Sequence, residues 1–424
     1  MRVLITTAGS MGDVAPYTGV GARLRDAGHR VTVAAHESFA GLIADAGLDL
    51  LAMPGDVRAA QASERGRELH RRGTGPRGLV SLARLARQEV WQLVDGMLAV
   101  AGHGADVLLL STTTAPLGYQ VAQALGVPSL GLFLQPVDPT GDFPPVTTGT
   151  RRLGRVGNRA AAGLTRTLAR RVYDAPTRQL RARLGLPPVS LAALDRRQRE
   201  EHWPILHGYS PAVVPRPADW RPGLDVVGYW WPARPADWRP PADLVEFLAA
   251  GPPPVYLGFG SMAAGYGRRL SALAADALRT AGVRGVVQSG WAELSVTGPD
   301  MITIGAVPHD WLFPRMAAVV HHAGAGTTAA GLRAGVPAVP VPMIADQAFW
   351  AGRLTGLGVA PVAIPAGRLT ARRLADAIVA AVRSPAYRER AGRVAARLAA
   401  EDGAGAVAEA VTAAAARLDG PRPT

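Results

Sequence analysis

Short apolar runs alternate with amphipathic stretches along the first part of the chain. The run RVLITT at 2–7 is rich in β-branched residues, and the glycine-containing turn AGSMGD follows it. An amphipathic stretch from Tyr17 to Ala27 ends at Gly28, and the next apolar run, at 30–36, begins directly afterwards. This order predicts a strand, a loop, a helix and a second parallel strand, which is the βαβ unit of a parallel sheet.

The same alternation continues and then restarts in the second half of the chain. Two more strands are predicted at 107–110 and 129–134, and PVYLGFGS at 254–261 reads as a strand entering a glycine-rich loop. We therefore predict an α/β protein with two facing, doubly wound domains that share a cleft, and such clefts bind nucleotides. Further strands of the second domain are expected at 285–288, 301–304, 317–321 and 338–341.

A change in composition separates the two halves. Pro and Trp are frequent at 210–244, where RPADWRP occurs at 216–222 and again at 234–240. Such a segment is semi-rigid, and two copies indicate a linker rather than a solenoid. The expected parts are an acceptor-binding domain at 1–214, a linker at 215–240, a donor-binding domain at 241–395, and a helical tail at 396–424 that packs back toward the first domain.

Charge and cysteine content narrow the function classes. The chain of 424 residues carries a formal charge of +13, but its 46 basic residues are all arginine and are scattered. The densest group, from Arg151 to Arg171, has helical spacing, which favours a solvated helix face over a nucleic-acid site. The overall field favours an anionic ligand. The absence of cysteine excludes disulfides, thiolate metal sites and cysteine nucleophiles.

The first residues and the hydropathy of the whole sequence predict where in the cell the protein is located. The first residues lack the basic stretch and long apolar run of a signal peptide, and no apolar stretch reaches the roughly 18 residues of a membrane span. We therefore expect a cytoplasmic protein with no integral membrane association and no nucleic-acid partner.

The segment at 317–353 carries the strongest chemical signal. A strand ends at His321, His322 follows, and a glycine-rich stretch then opens a helix, so that backbone N–H groups and the positive helix end face one spot. His322 can add a ring N–H to a diphosphate, and Gly326 leaves room for a phosphate oxygen. The alternative for the His-His pair is a buried structural histidine with a neighbour. We assign five residues of this segment to the binding of a nucleotide-sugar donor through its diphosphate: His322, Gly324, Ala325, Gly326 and Thr327.

Two more groups extend this interpretation. Asp346 and Gln347 offer acceptors and donors to adjacent hydroxyls of a sugar, although an aspartate at a helix start is the simpler alternative. The loop at 258–267 lacks the Gly-Lys-Ser/Thr ending of a P-loop, but Ser261 is placed to donate its hydroxyl to the diphosphate.

Asp13 is the candidate general base. It lies in the first strand-to-helix loop with Ser10 and Gly12, which we place on the donor side. Its carboxylate would take the proton of an acceptor hydroxyl while the oxygen attacks the anomeric carbon opposite the diphosphate. A helix N-cap is the alternative role of Asp13.

These motifs resemble the family 1 glycosyltransferases, and most closely the branch of sterol 3β-glucosyltransferases and bacterial antibiotic glycosyltransferases. The resemblance rests on HHAGAGTTAAGLRAGVPAVPVP, ADQAFWAGR, GSMGDVAPY, YSPAVVPRPADW, VVGYWW and VYLGFGSM, in both halves of the chain. It implies a GT-B fold, a UDP- or dTDP-sugar in the second domain, and an acceptor in the first. It also implies that Val307 lies against the uracil or thymine, with Trp291 nearby.

Two positions depart from that family pattern. Met11 stands where many relatives have Arg, and the carboxylate that supports the base in plant members falls near Thr112. We therefore expect that a base at Asp13 would act without a second carboxylate to support it.

The acceptor pocket is predicted at 53–100 and 135–149, with Trp91 and Phe143 in its walls. An apolar helix stripe there is formed by Leu79, Leu82, Leu85, Val90 and Leu93, and such a stripe is more often core. Polyketides, flavonoids and sterols are all compatible with such an apolar pocket as acceptors.

The expected function is inverting transfer of a hexose such as glucose to a hydroxyl of a hydrophobic small molecule. A nucleotide-sugar epimerase or hydrolase, and a non-catalytic partner that binds a nucleotide sugar, are the alternatives. We expect no cofactor and no metal requirement, since no metal-ligand cluster or Asp-x-Asp-like pair is apparent.

Overall fold

The computed structural model of the chain describes residues 1–55, 76–147, 153–235, 237–260 and 267–419. Within these ranges the strands form two parallel sheets, each flanked by helices. The α/β class with two parallel sheets is therefore confirmed.

The first sheet contains seven strands: β1 Arg2–Thr6, β2 Arg30–His36, β3 Asp49–Met53, β4 Val107–Ser111, β5 Ser129–Phe133, β6 Ile205–His207 and β7 Leu224–Val226. They are all parallel, in the order β3-β2-β1-β4-β5-β6-β7. The central strands β1, β4 and β5 are almost entirely buried, as expected of a parallel sheet with helices on both faces.

The helices of the first half are α1 Met11–Asp26, α2 Ala40–Asp45, α3 Pro76–His103, α4 Ala115–Leu125, α5 Gly154–Arg183 and α6 Leu191–Glu200. The arginine-rich region lies on α5, where Arg166 and Arg170 both pair with Asp195. On α3, Val90 and Leu93 are buried in the core. The described part of the apolar stripe is therefore core, and the side chains of Leu79, Leu82 and Leu85 lie outside the described part of the structure.

The segment predicted as a linker contributes to the first sheet. Its residues Leu224–Val226 form β7, the edge strand that pairs with β6. Trp220, in the first RPADWRP copy, stacks on His207 with ring centroids 4.6 Å apart. The chain then passes over α1, where the Ala233 backbone N–H donates to the Thr18 hydroxyl at 3.1 Å.

The second sheet contains β8 Val255–Gly258, β9 Gly285–Gln288, β10 Met301–Ile304, β11 Ala318–His321 and β12 Ala338–Pro340. These strands are parallel in the order β10-β9-β8-β11-β12. Its helices are α7 Ala242–Ala249, α8 Gly267–Ala281, α9 His309–Leu312, α10 Ala325–Arg333, α11 Gln347–Gly356, α12 Ala371–Arg383 and α13 Pro385–Leu398. None of the helices in the described ranges is long and apolar enough to cross a membrane.

The last helix, α14 Gly403–Asp419, returns to the first half of the chain. Val407 and Val411 are fully buried in the cluster that contains residues of β1 and β2. The Trp230 indole N–H donates to the Gly403 carbonyl at 3.1 Å. The two halves are thus tied together at both the linker and the C-terminal end.

The strand order places one switch point in each sheet. In the first sheet the chain leaves β1 toward β2 on one side, while β4 pairs with the other side. In the second sheet β8 likewise lies between β9 and β11. Crevices at the carboxyl ends of such strands are where parallel α/β sheets bind ligands.

Substitution of Gly19 tests the packing between α1 and the linker. A Cβ at this position would lie 1.7 Å from the carbonyl oxygen of Trp231, whereas a Cβ at the helical Gly163 would meet nothing within 4 Å. Both Gly→Ala changes gain helix propensity of about 1 kcal/mol. At Gly19, however, the added methyl group overpacks against the linker, which costs about 1–3 kcal/mol. We therefore expect Gly19→Ala to lower Tm by several degrees and Gly163→Ala to raise it, as measured by calorimetry. Equal Tm values would contradict this packing.

Candidate functional site

The segment that follows β11 forms a helix start without a side-chain cap. Ala323 has φ +62°, Gly324 is the extended N-cap residue, and no side chain caps α10. The first intrahelical bond runs from the Thr328 N–H to the Gly324 carbonyl at 2.9 Å. Among the described residues, the N–H groups of the first turn therefore have no acceptor, and together with the helix dipole they are suited to bind an anion.

The two adjacent histidines have different roles. His321 is fully buried, and its Nδ1 accepts a hydrogen bond from the Ala323 N–H at 3.1 Å, which fixes the loop. Burial lowers the pKa of His322 to about 4, so its ring is neutral at pH 7. The ring is packed between two glycines, since a Cβ at Gly324 would lie 2.5 Å from its Nε2 and one at Gly260 would lie 3.2 Å from its Cε1. His321 is thus the structural member of the pair, and His322 borders the helix start.

Three buried polar atoms near this helix start have no hydrogen-bond partner among the described residues. They are His321 Nε2, His322 Nδ1 and Thr328 Oγ1. Buried polar atoms are normally paired, so this group indicates a place where a polar ligand completes the bonding. Thr328 was not singled out from the sequence, although it belongs to the same Gly-Thr-Thr run as Thr327.

The loops after β8 and β9 meet beside this segment. The Trp291 backbone N–H donates to the Gly260 carbonyl at 3.0 Å, and a Cβ at Gly290 would lie 2.6 Å from the same oxygen. Trp291 is therefore held next to the loop that continues to Ser261, and Ser261 lies outside the described residues. The Val307 side chain is 5% exposed and packs in a core cluster with Leu312 and Phe313.

Asp346 occupies the start of α11, after Ala345 with φ +54°. Its Oδ2 accepts a hydrogen bond from the Trp350 indole N–H at 2.7 Å. The pKa of Asp346 is raised to about 6, chiefly by burial and also by the charge of Asp13, against the opposing effect of the Trp350 hydrogen bond. Asp346 as a residue is partly exposed.

Gln347 is buried and ties its own loop together. Its Oε1 accepts from the backbone N–H groups of Met343 and Ile344, at 2.8 and 3.1 Å. No described residue accepts a hydrogen bond from its Nε2, so the amide group keeps donors for a sugar hydroxyl. The structural role of Gln347 and its predicted role in sugar binding would therefore use different atoms.

Asp13 lies in the first turn of α1, at the switch point of the first sheet. Its Oδ2 accepts from the Ser10 backbone N–H at 2.8 Å and from the Ser10 hydroxyl at 3.1 Å. Gly9 has φ +141°, and a Cβ there would lie 2.4 Å from the Asp13 carboxylate. Burial raises the pKa of Asp13, and the two Ser10 bonds lower it. Asp13 therefore caps the helix through Oδ2, and Oδ1 has no partner among the described residues.

The neighbouring loop after β4 carries hydroxyls rather than a carboxylate. Ser111, Thr114 and Thr6 form a buried chain, with the Thr114 and Thr6 hydroxyls 2.7 Å apart. Thr112 Oγ1 is buried without a partner. In the described part of the first half, this loop therefore supplies no acidic relay to Asp13.

The predicted acceptor residues lie in different environments. The Phe143 ring contacts Phe349 of α11, with centroids 5.3 Å apart, and Arg353 lies over both rings. Phe143 thus reaches the second half one turn beyond Asp346. Trp91 is 37% exposed on α3, and no described contact joins it to the residues around Asp13.

Comparison with known proteins finds relatives whose similarity covers both halves of the chain. A family model described as "Erythromycin biosynthesis protein CIII-like, C-terminal domain" matches residues 287–414. O-mycaminosyltylonolide 6-deoxyallosyltransferase of Streptomyces fradiae is 37% identical over 414 residues, or 95% of each chain. A sterol 3-beta-glucosyltransferase of Arabidopsis thaliana is 33% identical over 400 residues, and the chain spans 60% of that protein's length.

Solved structures share the fold at lower identity. The glycotransferase of kitacinnamycin has a TM-score of 0.71 at 20% identity, covering 97% of this chain and 98% of that one. A Streptomyces sp. SF2575 glycosyltransferase complexed with thymidine diphosphate has a TM-score of 0.64 at 22% identity, covering 97% and 99%.

The two parallel domains and the site between their switch points define a protein of the GT-B class. More specifically, the chain belongs to the glycosyltransferase family that includes the Streptomyces fradiae transferase and the sterol 3-beta-glucosyltransferases. The family expected from the sequence motifs is confirmed.

The raised pKa of Asp346 predicts a pH dependence of nucleotide-sugar binding. Sugar hydroxyls donate to a carboxylate, so affinity should be full above about pH 6 and fall as Asp346 becomes protonated below it. Calorimetric titration with UDP-glucose or dTDP-glucose between pH 5 and 8 measures this change. Asp346→Asn should bind weakly at every pH in that range. An acidic loss of affinity that survives in Asp346→Asn would show that another group titrates.

Proposed function

We propose that the protein is an inverting glycosyltransferase that moves a hexose from a UDP- or dTDP-sugar to a hydroxyl of a hydrophobic small molecule. The observation that carries this proposal is the uncapped start of α10, with unpartnered buried polar atoms beside it, facing the half of the chain that holds Asp13. α1 and α10 are in contact across the two halves, and the charge of Asp13 acts on Asp346.

The donor would be held by two sets of groups with separate tasks. The first-turn N–H groups of α10 and the neutral His322 ring donate hydrogen bonds to the diphosphate. Asp346 and the Gln347 amide bind hydroxyls of the hexose. Such preorganised donors stabilise charge that develops on a leaving group, and they need no reorganisation during the reaction.

The reaction then needs one proton transfer and one displacement. Asp13 accepts the proton of the acceptor hydroxyl, and the oxygen forms a bond to the anomeric carbon as the bond to the diphosphate oxygen breaks. The electron pair leaves with the diphosphate, where the α10 N–H groups receive the added charge. A single displacement inverts the anomeric configuration, and the acceptor occupies the side of the cleft that Phe143 borders.

An acceptor panel separates this proposal from its alternatives. Incubation with UDP-glucose or dTDP-glucose and polyketides, flavonoids or sterols should yield a glycoside by mass spectrometry. Free sugar or an epimerised donor would indicate a hydrolase or an epimerase, and binding without turnover would indicate a non-catalytic protein. We propose that no divalent metal is needed, so loss of rate in EDTA that Mg²⁺ restores would contradict this point.

Replacement of Asp13 tests the proposed base. Asp13→Asn keeps an oxygen that can accept the Ser10 hydrogen bonds but cannot take a proton, so kcat should fall by about 10²–10⁴-fold with donor affinity unchanged. Asp26→Asn changes an exposed aspartate at the other end of the same helix and should leave kcat at the wild-type value. A near-normal kcat for Asp13→Asn would remove Asp13 from the mechanism.

A further inference from the structure

Trp350 lies one helical turn after Asp346 on α11 and contacts its carboxyl group directly. The indole Nε1–H donates a hydrogen bond to Asp346 Oδ2 over 2.7 Å. We propose that Trp350 is a positioning residue, which holds the Asp346 carboxylate in the orientation that receives the hexose of the donor. This inference rests on the proposed transferase function and adds a residue that acts on the sugar without touching it.

The spacing along the helix explains why the two side chains meet. Residues four apart lie on one face of a helix, and long side chains lean toward the helix N-terminus. The Trp350 backbone N–H donates to the Asp346 carbonyl at 3.2 Å, and the indole reaches back over the same turn to the carboxyl group. The Asp346 side chain is therefore held at the start of its own helix.

Packing from both halves of the chain fixes the indole ring. Trp350 is fully buried, and so is Tyr209 of the first half. The indole meets Phe349 of its own helix at a ring-centroid distance of 5.2 Å and Tyr209 at 5.9 Å, both edge-on. Because the interior is close-packed, these contacts determine the direction of the indole N–H. The carboxyl group thus takes its orientation from a donor that is itself held in place.

The chemistry of the pair leaves acceptor positions for a sugar. An indole N–H is a donor only, and it fills one of about four acceptor positions on a carboxylate. Asp346 as a residue is partly exposed, whereas Trp350 is not, so the remaining positions would serve the hexose hydroxyls. The bond also opposes burial and the charge of Asp13, which both raise the pKa of this carboxyl group. Trp350 therefore favours the charged form as well as one orientation.

The test compares Trp350→Phe with Trp203→Phe, which removes a similar buried bond elsewhere. The Trp203 indole donates to the Ser129 hydroxyl at 3.1 Å, at the amino end of β5 and away from the loops that follow the strands. Calorimetry measures the affinity for UDP-glucose or dTDP-glucose and, separately, for UDP or dTDP. Trp350→Phe should weaken binding of the nucleotide sugar about tenfold, the effect of one lost hydrogen bond to a charged group, and leave the affinity for the nucleotide diphosphate unchanged. Trp203→Phe should match the wild type with both ligands.

A double-mutant cycle and a pH series separate positioning from a purely structural role. In Asp346→Ala the side chain to be oriented is gone, so Trp350→Phe should cause no further loss of nucleotide-sugar affinity there. With Asp346 present, Trp350→Phe removes a bond that favours the charged carboxylate, so the loss of affinity at acidic pH should begin at a higher pH. Equal weakening of both ligands, an undiminished effect in Asp346→Ala, or no weakening at all would overturn the positioning role.

The bond can also be followed without changing Trp350, should that variant fail to fold. The chain has nine tryptophans, and their indole N–H signals can be followed by NMR. One signal should move with pH around a midpoint of about 6 in the wild type, and none should do so in Asp346→Asn. If no indole signal titrates in the wild type, the inference is wrong. Failure of the wild-type protein to bind any of these nucleotides or nucleotide sugars would instead overturn the proposed function itself.

Discussion

The backbone N–H groups in the first turn of α10, which have no partner among the described residues, are the constraint on which the candidate site depends. They stay unpaired because Gly324 supplies no capping side chain and because Ala323 takes a left-handed conformation that turns the chain abruptly out of β11. A strained residue is kept only where its surroundings hold it, and such residues gather at functional sites. Ala345, immediately before Asp346, is also in the left-handed conformation. Both loops predicted to bind the donor therefore contain a strained residue.

The parallel topology brings these loops opposite Asp13. All strands of a parallel sheet point their carboxyl ends to one edge, so each half offers its switch point there. The linker strand β7, the return of α14 and the contacts of Phe143 with Phe349 and of Tyr209 with Trp350 join the halves. The candidate site is therefore shared between the two halves, and in the proposed reaction a sugar bound by one half would be presented to a base in the other.

Local patterns predicted most of the elements. Strands buried on both faces appear as continuous apolar runs, and the glycine-rich stretch after a strand predicted where α10 begins, while its role in binding an anion stays a prediction. The short strand β7 was not predicted, because proline and tryptophan around it are typical of a linker. Its place is set by pairing with β6, a tertiary contact that no local pattern contains.

The remaining site features depend on how side chains are buried and oriented. Nothing in the sequence shows that Thr328 Oγ1 is buried without a partner among the described residues, or that Gln347 Oε1 accepts hydrogen bonds from its own loop. Val307 and Trp91 were selected by resemblance and by residue type, and the structure packs the first in a core cluster and leaves the second partly exposed. Burial and orientation decide these roles, and both arise only in the folded structure.

Titration calorimetry with UDP and dTDP, on the wild type and on Gly326→Ala, tests the central claim most directly. Gly326 is exposed in the first turn of α10, and a Cβ there would meet nothing within 4 Å of the protein. The fold should therefore tolerate the change, and the methyl group would meet only a bound phosphate. The account predicts that the wild type binds and that Gly326→Ala binds at least about tenfold more weakly at an unchanged Tm. Equal affinities, or no heat from the wild type with either nucleotide, would contradict it.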